Sequence, residues 1–187
     1  MSRAASARLF AALDPPEEIG ADLLRWARGA LREAGERDAR LLAPESLHVT
    51  LLFLGELPFE EIDGLAAVLA ETADRHPPLE LETGAPVWLP PRRPRALAVE
   101  LHDPDGSLAG LQRDLAGGLC AVAGLPAPRR FRAHLTLART RSGARAPAPL
   151  PATPALRFGC WEVVLYRSFL EPSGARYERL AAAALAG

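Results

Sequence analysis

The sequence contains no lysine; all 22 of its basic residues are arginine. A Schiff-base lysine and a P-loop lysine are therefore excluded. Arginine stays protonated in proteins, which makes it a poor general base but a good clamp for phosphate. Cysteine is almost missing too. Cys120 and Cys160 are the only two and form no CxxC pattern, which argues against a disulfide framework or a zinc site. Each reads as a small buried apolar residue. No run of about 18 apolar residues occurs, so no membrane span is expected. The opening MSRAASARLFAAL lacks the apolar run and cleavage site of a leader, and a cytoplasmic location is the default expectation. Charge of one sign is also lacking: 22 basic and 23 acidic residues leave a net charge of −1. That excludes coating nucleic acid through bulk charge and leaves room for a local basic site.

What is present is a globular composition. Hydrophobic residues make up 49% of 187 positions, enough for one domain or two small lobes sharing a core. RLFAAL at 8–13 reads as a strand. Asp14-Pro15-Pro16-Glu17-Glu18 reads as a helix start with an Asp cap, and Ile19, Leu23, Leu24, Ala27 and Leu31 give helical spacing over roughly 15–36. Further helices are expected over 59–75 and 107–123. Strands are expected at 47–54, in one or two pieces at 79–89, and at 95–101, 132–139, 161–170 and from 175. The Pro- and Ala-rich stretch 142–154 reads as a loop. Each half of the chain thus runs helix, break, then a strand bearing His-x-Thr-Leu.

Those two tetrapeptides, His48-Val49-Thr50-Leu51 and His134-Leu135-Thr136-Leu137, carry the chemistry. Strand side chains alternate faces. Ser46, His48 and Thr50 therefore share one face, as do Arg132, His134 and Thr136, each backed by an apolar layer. Imidazole titrates near neutrality, so one histidine can accept a proton while the other donates one. A Thr hydroxyl can donate to a phosphate oxygen, and Arg132 can neutralise charge accumulating on phosphorus. With six Thr in the chain, one such motif is weak evidence and the matched pair is strong. The bland alternative is a satisfied core histidine beside a common strand former.

The paired motifs, with RLFAAL, LHVTLLFLGEL, RPRALAVEL, FRAHLTLAR and VVLYRSFLEPSGARYERL, resemble the two-histidine phosphoesterase superfamily. The match is similar to its RNA 2′,3′-cyclic phosphodiesterase family, also described as 2′-5′ RNA ligases, over nearly the whole chain. That resemblance implies an α+β fold in which two similar lobes, each an antiparallel sheet with helices outside, flank a central cleft. The whole of 1–187 is then a single two-lobed domain, expected to be monomeric. It implies His48 and His134 as the catalytic pair, with Thr50, Thr136 and Arg132 at the phosphate. It further implies opening of a terminal 2′,3′-cyclic phosphate to a 2′-phosphate with no metal and no cofactor. Partners would be RNA ends or nucleoside 2′,3′-cyclic phosphates, with no membrane. Ligation of 2′-5′ ends is the reverse of that chemistry. The family usually has Pro before its second histidine, where this chain has Ala133. The late acidic-Ser pair is here Arg167-Ser168.

His76 and His102 lack the Thr and read as cap or loop residues. Phe10, Phe53, Trp88 and Tyr166 read as core ahead of base-stacking platforms. Arg129 and Arg130 fit an RNA-guiding role and a solvated loop equally. Two other functions stay open: a phosphodiesterase of small cyclic nucleotides, and a non-catalytic RNA-binding module of the same fold.

Overall fold

A computed structural model of the chain describes residues 5–126, 128, 130–140, 149–171 and 174–186. Its first sheet holds four strands: β1 (Ser6–Leu13), β3 (Val49–Pro58), β8 (Glu162–Glu171) and β9 (Gly174–Ala184), in the order β3-β1-β8-β9. The second holds five: β2 (Arg40–Leu41), β4 (Leu79–Leu89), β5 (Ala96–His102), β6 (His134–Arg139) and β7 (Arg157–Cys160), in the order β2-β6-β5-β4-β7. The strand pairs in both are antiparallel. The molecule is the expected α+β fold of two sheets, with one HxTL motif on each.

The lobes are not the two halves of the sequence. The first sheet takes strands from both ends of the chain and the second from its middle. Helix α1 (Glu17–Glu33) precedes the first motif, yet it packs on β2 and β6, the sheet of the second motif. Helix α2 (Ile62–Asp74) packs on β8 and β9, and α3 (Ser107–Val122) on α2 and β3. α1 buries the stripe Ile19, Leu23, Leu24, Ala27 and Leu31, the helical-period face that the spacing predicts.

One large apolar cluster joins the two sheets and the helices. Leu9, Leu13 and Leu51 from the first sheet meet Leu81, Leu97 and Leu135 from the second, with Leu23, Leu65 and Leu111 from the helices. On β1, Leu9, Ala11 and Leu13 belong to that core, while Phe10 and Ala12 turn the other way into a small cluster with Val164 and Tyr166. Both faces of β1 are covered, which explains its unbroken apolar reading.

Several boundaries differ from expectation. Pro16, not Asp14, occupies the cap position of α1; the Asp14 carboxylate instead accepts from Tyr166 Oη at 2.7 Å. β3 continues past Gly55, which takes φ +77, a conformation glycine adopts without steric cost. The stretch 79–89 is one strand with an irregularity between Thr83 and Pro86. β2 and β7 were not expected. They are two and four residues long, too short for a period to register. Of the anticipated loop, 142–148 lies outside the described residues, and Ala152 is anchored on α1 by the Trp26 Nε1–H bond to its carbonyl.

Candidate active site

β3 and β6 lie against each other where the two sheets meet. A cleft of about 450 Å³ opens there, and His48, Thr50, His134 and Thr136 all line it. The volume falls within the usual range for small-ligand sites. Each histidine is held in the same way. His48 Nδ1–H donates to the carbonyl of Ser46 at 2.9 Å, and His134 Nδ1–H donates to that of Arg132 at 2.8 Å. A carbonyl can only accept, so both rings carry their proton on Nδ1 when neutral, which leaves Nε2 as the free base. Among the described residues no hydrogen bond engages the Thr50 or Thr136 hydroxyl.

Both motif strands are also bulged at the same place. On β3, Thr50 pairs with Ala12 but Leu52 with Ala11, so Leu51 is the extra residue. On β6, Thr136 pairs with Ala98 but Ala138 with Leu97, so Leu137 is the extra residue. An extra residue resets the alternation of faces. The fifth position after each histidine therefore returns to the cleft: Phe53 from β3 and Arg139 from β6. Strict alternation from Thr136 would have turned Arg139 away. Arg139 is the functional candidate that the sequence reading missed. The adjacent apolar pairs Leu51-Leu52 and Leu137-Ala138, which break the period of two, were the available signal.

Among the described residues three arginines, Arg8, Arg95 and Arg139, line the cleft together with the two histidines, and no Asp or Glu does. The site is built for an anion. His48 sits in an aromatic surround, its ring 4.8 Å from Phe10 and 5.0 Å edge-on from Tyr177. Burial pushes its imidazole down to about 4, against the Ser46 carbonyl, which favours the charged form; Arg139 and His134 depress it further. Behind the aromatic layer, Tyr166 stacks on Phe10 at 5.1 Å. Its hydroxyl, bonded to Asp14, is held well above the usual phenol range by burial and then by that carboxylate.

Arg132 departs from expectation. β6 starts at His134, and the Arg132 guanidinium turns to Glu100 on β5, with Nε 3.0 Å from Oε1. It does not line the cleft. Only its carbonyl reaches the site, through His134. Ala133 enters the strand with its carbonyl accepting from Leu101 N–H at 3.1 Å.

The remaining candidates separate clearly. His76 bridges helices through Asp114 at 3.0 Å, and His102 is exposed at the end of β5; neither lines the cleft. Phe10 and Tyr166 are buried as expected, and Trp88 packs partly buried against the main core. Phe53 is not core: it is 65% exposed at the cleft. Arg130 is an exposed loop residue away from the cleft, and Arg129 lies outside the described residues. Both cysteines are buried, and burial raises the Cys160 thiol to about 12. Among the described residues no group of three or more His, Cys, Asp or Glu is arranged to hold a metal ion.

The chain also resembles known proteins in sequence and in overall fold. A family model described as LigT like Phosphoesterase matches residues 13–97. The RNA 2′,3′-cyclic phosphodiesterase of Thermus thermophilus is 32% identical, over 96% of this chain and 91% of that one. The crystal structure of TT0787 of the same organism superposes with a TM-score of 0.81 at 30% identity, covering 96% of this chain and 98% of that one. Escherichia coli LigT complexed with 3′-AMP gives 0.77 at 28% identity, covering 98% and 100%. With sequence similarity along almost its whole length and the same two-sheet architecture, the chain belongs to the LigT-like phosphoesterases of the two-histidine superfamily.

Proposed function

We propose that this chain opens the terminal 2′,3′-cyclic phosphate of RNA to a 2′-phosphate by metal-free acid–base hydrolysis. The observation that carries the reading is the matched pair of histidines, each with Nδ1–H fixed on a backbone carbonyl, in a cleft that among the described residues is lined by three arginines and no carboxylate. The name of the Thermus thermophilus relative and the 3′-AMP in the Escherichia coli protein support a ribonucleotide substrate.

The chemistry follows from the tautomers. His48, kept neutral by burial, accepts a proton from water at Nε2 as the water oxygen bonds to phosphorus. His134, protonated, donates from Nε2 to O3′ as the P–O3′ bond breaks, which leaves the phosphate on O2′. Thr50 and Thr136 donate to the non-bridging oxygens. Arg139 faces the charge that builds on phosphorus, the task the sequence pattern gave to Arg132. The exposed ring of Phe53 at the cleft suits stacking on the terminal base.

Turnover of a nucleoside 2′,3′-cyclic phosphate in the presence of EDTA, with the product identified by chromatography, tests this. A 2′-phosphate is expected. His48→Ala and His134→Ala should each lose about 10²–10⁴-fold. A 3′-phosphate product, or dependence on added metal, contradicts the mechanism.

A further inference from the structure

A smaller cavity of about 210 Å³ adjoins the cleft. Leu42, Ser46, Arg139 and Tyr177 line both spaces, so they form one continuous surface. The charge that the smaller cavity adds is Arg40, beside Leu41, Ala43 and Gly174. This residue lies on the edge strand β2, and its register partner is Arg139 of β6. Directly opposed residues on an antiparallel ladder project from the same face, about 4.5–5.5 Å apart at Cα, and like charges there repel. A carboxylate would ordinarily relieve such a pair. Among the described residues none lines this cavity, and neither Arg40 nor Arg139 forms an ion pair. Arg132, Arg157, Arg167, Arg176 and Arg179 all do.

We propose that Arg40, acting with Arg139, forms a second anion subsite that takes the next phosphodiester of an RNA chain, the one on the 5′ side of the terminal ribose. The proposal rests on the cyclic phosphodiesterase reading above and extends it to substrate class. The preferred substrate is an oligonucleotide end, and a mononucleoside cyclic phosphate leaves the subsite empty. Guanidinium groups suit phosphate oxygens, and such contacts fix position without reading sequence. The cleft has another mouth, around Arg8, Ser168 and Phe169. It is less suited to a phosphate backbone, because Glu56 and Glu171 line it. Its Arg167 is also engaged by Glu178 at 3.7 Å and by the Phe59 and Phe169 rings at 4.9 and 4.4 Å.

The test compares kcat/KM for a nucleoside 2′,3′-cyclic phosphate with that for a trinucleotide ending in the same nucleotide. The proteins are wild type, Arg40→Ala, Arg40→Lys and Arg167→Ala. Arg40→Ala should lose roughly tenfold on the trinucleotide, the worth of one charge-assisted contact, and be unchanged on the mononucleoside. Its slope of log kcat/KM against log salt for the trinucleotide should be shallower by about 0.7. Arg40→Lys should recover most of the loss, and Arg167→Ala should match wild type on both substrates. Equal loss on both substrates in Arg40→Ala, loss on neither, or a trinucleotide-specific loss in Arg167→Ala instead would overturn the subsite. A wild type that opens neither substrate would remove the underlying reading, and the subsite with it.

Discussion

His48 shows how the surroundings of a single residue set the state in which the proposed reaction needs it. Its ring is packed between Phe10 and Tyr177, and desolvation disfavours its charged form. The imidazole of the free enzyme is therefore neutral down to about pH 4. For a base that must be unprotonated, the acid limb of kcat/KM reports the free-enzyme value. That limb should fall near pH 4, well below the usual imidazole value of about 6.5. The limb of kcat should lie higher, because a bound phosphodiester favours the imidazolium. Linkage carries the same sign. The unfolded chain protonates this histidine below about 6.5 while the folded one resists, so its contribution to stability is full above that value and is lost as pH falls towards 4. A cyclic substrate with sulfur as the leaving atom distinguishes acid from base. It should restore His134→Ala, since sulfur leaves without a proton, and should not restore His48→Ala. Rescue of His48→Ala alone reverses the assignment, and rescue of both overturns it.

At the scale of the element, the two bulges matter more than the motifs' spelling. Leu51 and Leu137 each occupy an extra position after Thr, so the same strand geometry delivers an aromatic ring from one sheet and a guanidinium from the other. The asymmetry of the site is thus Phe53 opposite Arg139, both five residues after a histidine. Arg132, two residues before one, is held by Glu100. Truncating an electrostatic contact made in the transition state typically costs about 10²–10³-fold in rate. Arg139→Ala should lose that much in kcat, whereas Arg132→Ala should stay within about threefold in kcat/KM. The opposite ranking in steady-state kinetics would return the phosphate to Arg132.

At the scale of the molecule, the site exists only where two sheets meet, and those sheets are not independent. Leu9 and Leu51 of one share an interior with Leu97 and Leu135 of the other, and α1 crosses from the first sheet's strands to pack on the second. Neither sheet retains a complete core without its neighbour. Both lobes should therefore unfold together in urea. Far-UV circular dichroism and fluorescence of Trp26, Trp88 and Trp161 should trace one coincident transition, as a two-state domain requires. Two resolved transitions would mean that the lobes fold separately.

The sequence by itself determined the α1 face, most strands and the two histidine–threonine pairs, because period and residue type are local properties that survive without coordinates. It also indicated an anion-binding chemistry, since all its cations are arginine and its histidines come in matched motifs. Three things were decided only by the tertiary structure. Phe53 left the core and Arg139 entered the cleft because a bulge changes the face of every later residue. Arg132 was diverted because its partner Glu100 lies on a neighbouring strand distant in sequence. Arg40 came to stand opposite Arg139 because a two-residue strand, too short to show a period, pairs across the edge of the second sheet. The HxTL pairs thus suggest the proposed chemistry, while the charges around them are placed by register, which exists only between strands.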